Sequence, residues 1–235
     1  MELLKLEDSR KRYQILLGNK GDFIYDMEVA LKLFEDEVDL DAFSLGQLES
    51  KKWAIEIMQD IQRSQKVDWG IVFVLAGWYA LLPAMMFYSS LIINKIRSFD
   101  INEECEKIAD HINKTNCDDQ WRFKAITQDI FDMNFGTHSW QCWSNKNNRM
   151  SYPITEKPDT IINTSCEHTH NKWFTKVPDG KIVILQSNDS LNEEGHINAV
   201  TDLDEFRDMY PMTKEYYSGC MNFEKYTRFM LIGVK

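Results

Sequence analysis

Eight consecutive residues, Asn163-Thr164-Ser165-Cys166-Glu167-His168-Thr169-His170, carry the densest set of reactive side chains in this sequence. They close an apolar run, DTIINTS (159–165), that reads as a strand, and loops at strand ends are where binding and catalytic groups concentrate. Three chemistries are open to them. Glu167 or His168 can serve as a general base, an imidazole titrating near neutral pH; this is the leading reading. Cys166 can act as a nucleophile activated by His168, provided a loop turns these neighbours towards each other. Cys166, His168 and His170 can bind a metal, but no second cluster completes a four-ligand set, so no metal is expected. A plain connecting loop is the alternative to all three.

Other polar residues stand at comparable places. Ala76-Gly77-Trp78-Tyr79-Ala80 follows the apolar run IVFVL (71–75), and Gly77 lets the backbone turn sharply and approach a ligand without a Cβ in the way. The spacing GxGxxG is absent. Asp100 ends the next apolar run, 23 residues beyond Gly77, where an acid can accept hydrogen bonds from both ribose hydroxyls of an adenosine. Asp129 ends a third, WRFKAITQDI (121–130). A carboxylate there can receive the exocyclic amine of adenine while Ile130 packs on the ring. Gln186-Ser187-Asn188-Asp189, closing KIVILQSND (181–189), offers amides for ligand contacts.

These groups converge only if the runs that precede them lie side by side. MEVALKLFEDEV (27–38) and LGQLESKKWAIEIMQDIQ (45–62) repeat apolar residues at three and four positions, predicting amphipathic helices packed on the sheet or over its ligand-binding edge. An alternation comes after them. Strand 71–75 leads to a helix over about 81–94, strand 96–101 to a helix over 102–113 capped by Asn102, then strands near 121–129 and 159–165. A short helix and turn (172–180), strand 181–189 and a helix over 202–210 capped by Thr201 come next. YYSGCMNF and YTRFMLIGVK close the chain as a hairpin. Such alternation predicts an α/β, Rossmann-like, three-layer αβα fold: a mostly parallel seven-stranded sheet with a C-terminal β-hairpin. Residues 1–65 read as a helical extension of the same domain, 66–235 as the sheet domain. The stretch 131–157 has no period; its Trp140, Trp143 and Tyr152 suit a lid, a substrate-selecting loop or core packing.

Bulk properties narrow the partners. The formal charge is −10, from 27 Lys and Arg against 37 Asp and Glu, which disfavours nucleic acid and anionic membrane surfaces. Five scattered cysteines without a CxxC pair fit free thiols in a reducing compartment. The N-terminal residues MELLKLEDSRKRYQ lack the apolar run of a signal peptide, so a cytoplasmic location is expected and three glycosylation-type tripeptides read as chance. The 26 uncharged residues from Trp69 to Asn94 are long enough to span a bilayer. The β-rich opening, the break at Ala76-Gly77 and Pro83 instead predict a strand, a turn and a buried helix.

The glycine turn, Ser98-Phe99-Asp100-Ile101, Gln128-Asp129-Ile130 and the segment INTSCEH (162–168) together resemble class I S-adenosylmethionine-dependent methyltransferases over about residues 45–235. More narrowly, they are similar to methyltransferase-like proteins of marine and phage origin that carry INTSCEH. The resemblance implies S-adenosylmethionine lying across Gly77, Trp78 and Tyr79, with Asp100 and Ile101 at the ribose and Asp129 and Ile130 at the adenine. Asn163 and Ser165 would also contact the cofactor, and Lys51 or Lys52 would meet the methionine carboxylate. Asn163 stands where amino-methylating members begin an Asn- or Asp-Pro-Pro-Tyr motif, but Thr-Ser-Cys comes after it here. The implied activity is methyl transfer to a small or modest-sized acceptor. Aminocarboxypropyl transfer, cofactor cleavage and a non-catalytic binding module are the rivals; a nicotinamide-dependent oxidoreductase fits less well without GxGxxG.

Overall fold

A computed structural model describes residues 21–117, 121–144 and 148–235. The first twenty residues of the helical extension, and 145–147 of the aromatic stretch, lie outside the described residues. In chain order the elements are α1 (Gly21–Leu33), α2 (Leu45–Gln65), β1 (Ile71–Leu75), α3 (Leu81–Phe87), β2 (Lys95–Asp100), α4 (Glu103–Ile112) and β3 (Phe123–Thr127). Four short strands come next, β4 (His138–Trp140), β5 (Trp143–Ser144), β6 (Arg149–Met150) and β7 (Ile154–Glu156). The remainder is β8 (Thr160–Asn163), α5 (Lys172–Thr175), β9 (Ile182–Asn188), α6 (Leu203–Met209), β10 (Lys214–Asn222) and β11 (Thr227–Val234).

The main sheet has seven strands in the order β10-β11-β9-β8-β1-β2-β3. The pairs from β9 to β3 are all parallel, whereas β11 runs antiparallel to both β9 and β10. The hairpin thus inserts a single reversed strand, as the alternation predicts. Successive residues of each inner strand enter opposite cores, because side chains alternate across a pleated sheet. Val72 and Val74 join one apolar cluster with α2, α3 and α4, while Phe73 and Leu75 join another with α5 and α6. Both faces are therefore covered, which is why the inner strands read as unbroken apolar runs. No helix among the described residues is long and apolar enough to cross a membrane, and the 69–94 run resolves into β1, a turn and α3.

Several boundaries differ from the expected ones for local reasons. The helix after β1 stops at Phe87 rather than near 94, where the Ser89 hydroxyl donates to the Met86 carbonyl. β3 ends at Thr127, and Asp129 instead caps a single 3₁₀ turn by accepting the Phe131 N–H. Asp202, not Thr201, caps α6, and Thr201 donates from both its amide and its hydroxyl to Glu205.

The described residues of the 131–157 segment form two short strand pairs, one of them tied to the main sheet. β4 pairs with β7 and β5 with β6, and Glu156 of β7 is locked under the sheet by Arg97 of β2. Arg97 Nε and Nη2 donate to the two Glu156 oxygens at 2.7 and 2.8 Å, and Trp140 Nε1 donates to the same carboxylate at 3.1 Å. Trp140 is core, while Trp143 and Tyr152 face outward.

Candidate functional site

The carboxyl ends of β1, β2 and β8 open into a cavity of about 410 Å³. Its floor is the turn after β1, and its backbone is unusual. Ala76, Trp78 and Ala80 all take left-handed conformations (φ 48°, 49° and 53°), which cost side-chain-bearing residues about 1–2 kcal/mol each. Three bonds hold them there: Gly77 N–H to Phe99 O (3.0 Å), Trp78 N–H to Asp100 Oδ2 (2.8 Å) and Ala80 N–H to Gly77 O (2.8 Å). Gly77 is not in a left-handed conformation; a Cβ there would overlap the Ser98 hydroxyl on β2. The glycine thus allows close packing against the sheet, and it also lines the cavity.

Asp100 lines the cavity at the end of β2. Each of its oxygens takes one backbone N–H, from Trp78 and from Asn102, leaving a further acceptor site on each. Ile101 beside it lines the cavity yet is 72% exposed, an apolar surface without a partner. Asp129 and Ile130 stand at the end of the adjoining strand but outside the cavity lining, Ile130 being packed into the core with Phe73 and Phe99.

The extension forms the roof. Ala42, Gln47 and Lys51 line the cavity from above, and Tyr79 ties roof to floor: its hydroxyl accepts the Asp39 N–H (3.1 Å) and donates to Glu37 O (3.3 Å). Lys51 is half-buried, its Nζ donating to Gln47 Oε1 at 2.6 Å. Burial, and after it the charge of Arg228, push its ammonium down to about 7, against the pull of Glu167 and Asp41.

The segment after β8 divides by the direction of its side chains. Thr164, Ser165, Glu167, His168 and Thr169 line the cavity, and Asn163 and Cys166 do not. Asn163 is fully buried and spans the turn, its Oδ1 accepting the Ser165 N–H and its Nδ2 donating to Thr169 Oγ1, both at 2.9 Å. Cys166 is equally buried, with its Sγ–H on Asn163 O; burial, with the Glu167 charge second, raises the thiol well above its usual range. A protonated thiol shut away from the cavity is no nucleophile, so both residues position the turn and the catalytic readings for them fail on geometry. The amides at the carboxyl end of β9 are likewise internal: Gln186 Nε2 donates to Ser50 O, and Asn188 Nδ2 to Glu167 Oε1.

Glu167 is central, as the sequence reading anticipates, but through partners that reading does not name. Only 2% exposed, it receives Asn188 Nδ2 (2.8 Å) and Arg228 Nη2 (3.3 Å) on Oε1, while Oε2 has no partner. Arg228, buried on β11, also donates from Nη1 to Thr164 O. Sequence reading misses Arg228, Gln47 and His196. A lone arginine inside the apolar run TRFMLIGV is a visible signal; the other two sit where no pattern marks them.

No protein-family model matches the sequence, and no curated protein matches it. Solved structures share the fold. Magnesium protoporphyrin IX methyltransferase from Synechocystis PCC 6803, with bound S-adenosylmethionine, is similar at 10% identity over 100% of this chain and 99% of that one, with a TM-score of 0.55. N-methyltransferase NodS from Bradyrhizobium japonicum WM9, in complex with S-adenosylhomocysteine, gives 9% identity, coverages of 87% and 98%, and a TM-score of 0.56. An O-methyltransferase from Bacillus cereus, also with S-adenosylhomocysteine, gives 14%, 97% and 96%, and 0.54. The described residues share the seven-stranded Rossmann-like fold of these methyltransferases.

Proposed function

We propose that this chain is an S-adenosylmethionine-dependent methyltransferase acting on a small acceptor. The observation that carries the reading is Asp100: a carboxylate at the end of the second strand, facing the cavity, braced by two backbone amides and with acceptor capacity left on both oxygens. Two ribose hydroxyls fit that capacity. Trp78 and the uncovered face of Ile101 suit the flat base, and Asp129 stands at the neighbouring strand end towards which the base would extend. Lys51 in the roof suits the amino-acid carboxylate, a charge that would restore its ammonium form.

When bound, the cofactor supplies an electrophilic methyl group on a sulfonium. The chain's own residues then have three tasks. Asp100 and Lys51 fix the two ends of the cofactor, so that its reactive centre is placed by contacts remote from it. The roof from Ala42 to Lys51 limits water. Glu167 Oε2 and His168, on the wall formed after β8, are the groups able to hold an acceptor or receive its proton. A roofed cavity and a net charge of −10 favour a small acceptor over a nucleic acid, and free thiols favour a cytoplasmic setting.

Calorimetric titration with S-adenosylmethionine and S-adenosylhomocysteine tests the reading. Micromolar binding is expected, weakened at least tenfold by Asp100→Ala, since hydrogen bonds to a charged group contribute about 1.5–3 kcal/mol. No binding of either ligand by the folded chain would end it. Product analysis in an acceptor screen separates methyl from aminocarboxypropyl transfer.

A further inference from the structure

We infer that Glu167, His168 and His196 form a binding site for a divalent cation of the zinc type at the wall of the cavity. One ligand atom from each of the three lies within 4.8 Å of the others, although the residues come from two different loops. Glu167 and His168 come after β8, and His196 belongs to the loop after β9. That loop is docked onto the first turn by the Asn198 N–H on Glu167 O (2.9 Å) and by Asn198 Nδ2 on Cys166 O and the Tyr210 hydroxyl. The two imidazoles meet edge to face, 4.6 Å between centroids.

Two independent features point to a ligand. First, each ring is tethered through the same nitrogen: His168 Nδ1 lies 3.2 Å from Gly195 O, and His196 Nδ1 lies 2.7 Å from Ser190 O. A carbonyl oxygen only accepts, so each Nδ1 carries a proton and Nε2 is the nitrogen left to ligate a cation. Metal-binding histidines are held in this way, the second nitrogen anchored to a backbone carbonyl or carboxylate. Second, the Glu167 carboxylate is buried with one oxygen satisfied and the other bare. Asn188 and Arg228 grip Oε1 and orient the group, as outer-shell partners orient a ligating carboxylate.

The donor set selects the ion. Two imidazoles and one carboxylate suit zinc or iron(II), whereas magnesium and calcium call for oxygen donors. Tetrahedral zinc bonds of about 2.0–2.2 Å put ligand atoms roughly 3.5 Å apart, so closure asks for a small rotation of the exposed His168 ring. The Arg228 guanidinium already balances Glu167, which leaves a site with no net negative charge and sets its affinity below that of carboxylate-rich centres. Three protein ligands leave a position open. Resting on the methyl-transfer reading, that position would take a hydroxyl or other protic heteroatom of the acceptor, whose proton, made easier to lose by the cation, would pass to solvent water, Glu167 and His168 then serving as ligands rather than as the base. His170, prominent in the sequence, is not part of the cluster; its Nδ1 accepts the Lys172 N–H.

The test is a calorimetric titration of the chelator-treated, dialysed chain with Zn²⁺, with Co²⁺ as the absorption probe. One equivalent binding with micromolar or tighter affinity is expected. His168→Ala and His196→Ala, on exposed and half-exposed positions, should each weaken it at least tenfold, and His170→Ala should leave it unchanged. Binding no tighter than about 100 μM, or equal binding by the His168 and His196 variants, would overturn the site. S-adenosylmethionine titrated into the same metal-free protein separates this from the methyltransferase reading: cofactor binding without zinc binding removes the metal site alone, and zinc binding without cofactor binding leaves it standing.

Discussion

Two buried Glu–Arg pairs flank the sheet, and each has a lysine beside it. In the first, Glu156 of β7 meets Arg97 of β2, and every oxygen is used: Arg97 Nη2 and Lys95 on Oε1, Arg97 Nε and Trp140 Nε1 on Oε2. In the second, Glu167 meets Arg228 through one oxygen, and both Glu167 Oε2 and Arg228 Nε remain without partners. Both pairs are buried, and both are oppositely charged. They differ in completeness. A satisfied buried network rigidifies a scaffold, whereas an unsatisfied one costs desolvation that folding alone does not return. The complete pair lies outside the lining of the strand-end cavity, whereas Glu167 of the incomplete pair lines it. Between these two pairs, unspent hydrogen-bonding capacity separates the cavity wall from the scaffold where charge and burial do not.

The sharpest way to break this comparison is the same substitution at both places. Glu156→Gln forces an NH₂ group against the donors of Arg97, Lys95 or Trp140, so its expected cost is about 3–5 kcal/mol, or roughly 10 °C in melting temperature for a domain of this size. Glu167→Gln can turn its NH₂ into the vacant Oε2 position and keep an acceptor for Asn188 and Arg228, at about 1–2 kcal/mol. Thermal denaturation of the two variants reads the difference. Equal losses would mean that both pairs are scaffold. Acid should also act on the complete pair. Burial alone would raise the Glu156 carboxyl, but Arg97, Trp140 and Lys95 override it and hold it below the usual glutamate range. Its stabilisation is therefore full above that range and lost as pH falls through its lowered value.

The lysines sharpen the contrast. Lys95 lies 3.5 Å from Glu156, whereas Lys51 rests on Gln47, its ammonium pushed down to about 7. An unfolded lysine titrates at about 10.5, so between 7 and 10.5 the unfolded chain holds more protons and stability from this residue rises with pH. The penalty is complete below 7. Lys51→Met should accordingly raise stability at neutral pH by about 2 kcal/mol, allowing for solvent screening, and flatten the rise to pH 10.5. If Lys51 receives the cofactor's carboxylate, binding at pH 8 should take up close to one proton. Calorimetry in buffers of differing ionisation enthalpy measures that uptake, and Lys51→Met should abolish it. Uptake that survives the substitution would assign the proton elsewhere.

Much of this arrangement is legible in the sequence, for physical reasons that also mark the boundary. The run IVFVL coincides with β1 residue for residue, because a strand covered on both faces has no reason to admit a polar side chain. Asp100 and Glu167 stand out because each lies at or just beyond the carboxyl end of an inner strand, the edge where a parallel sheet holds its ligands. Asn163 and Cys166 mislead, because a run of polar residues does not say which of them face inward. Only the turn geometry sends Cys166 into the core and Glu167 to the cavity wall. Gly77 marks the right turn, although its neighbours Ala76, Trp78 and Ala80 carry the left-handed backbone. His196 is invisible, since its meaning depends on a loop that Asn198 docks from outside the local pattern.

The smallest expected effect concerns the segment around the complete pair. Trp143 and Tyr152 are 52% and 76% exposed, and their position in an aperiodic, aromatic stretch makes a lid over the ligand a reasonable expectation. The structure ties that stretch down through Glu156 and Trp140, with none of its described residues lining the cavity. The double variant Trp143→Ala, Tyr152→Ala removes two large rings and, with Tyr152, the ring under the Arg149 guanidinium, a surface contact of about 0.5–1 kcal/mol at most. Melting temperature should therefore move by no more than about 4 °C, and cofactor affinity by less than about twofold. A tenfold loss of affinity would show that the segment reaches the cavity in solution. The scaffold side and the site side would then be a single functional surface, and the complete Glu156–Arg97 pair would be the hinge of a moving part.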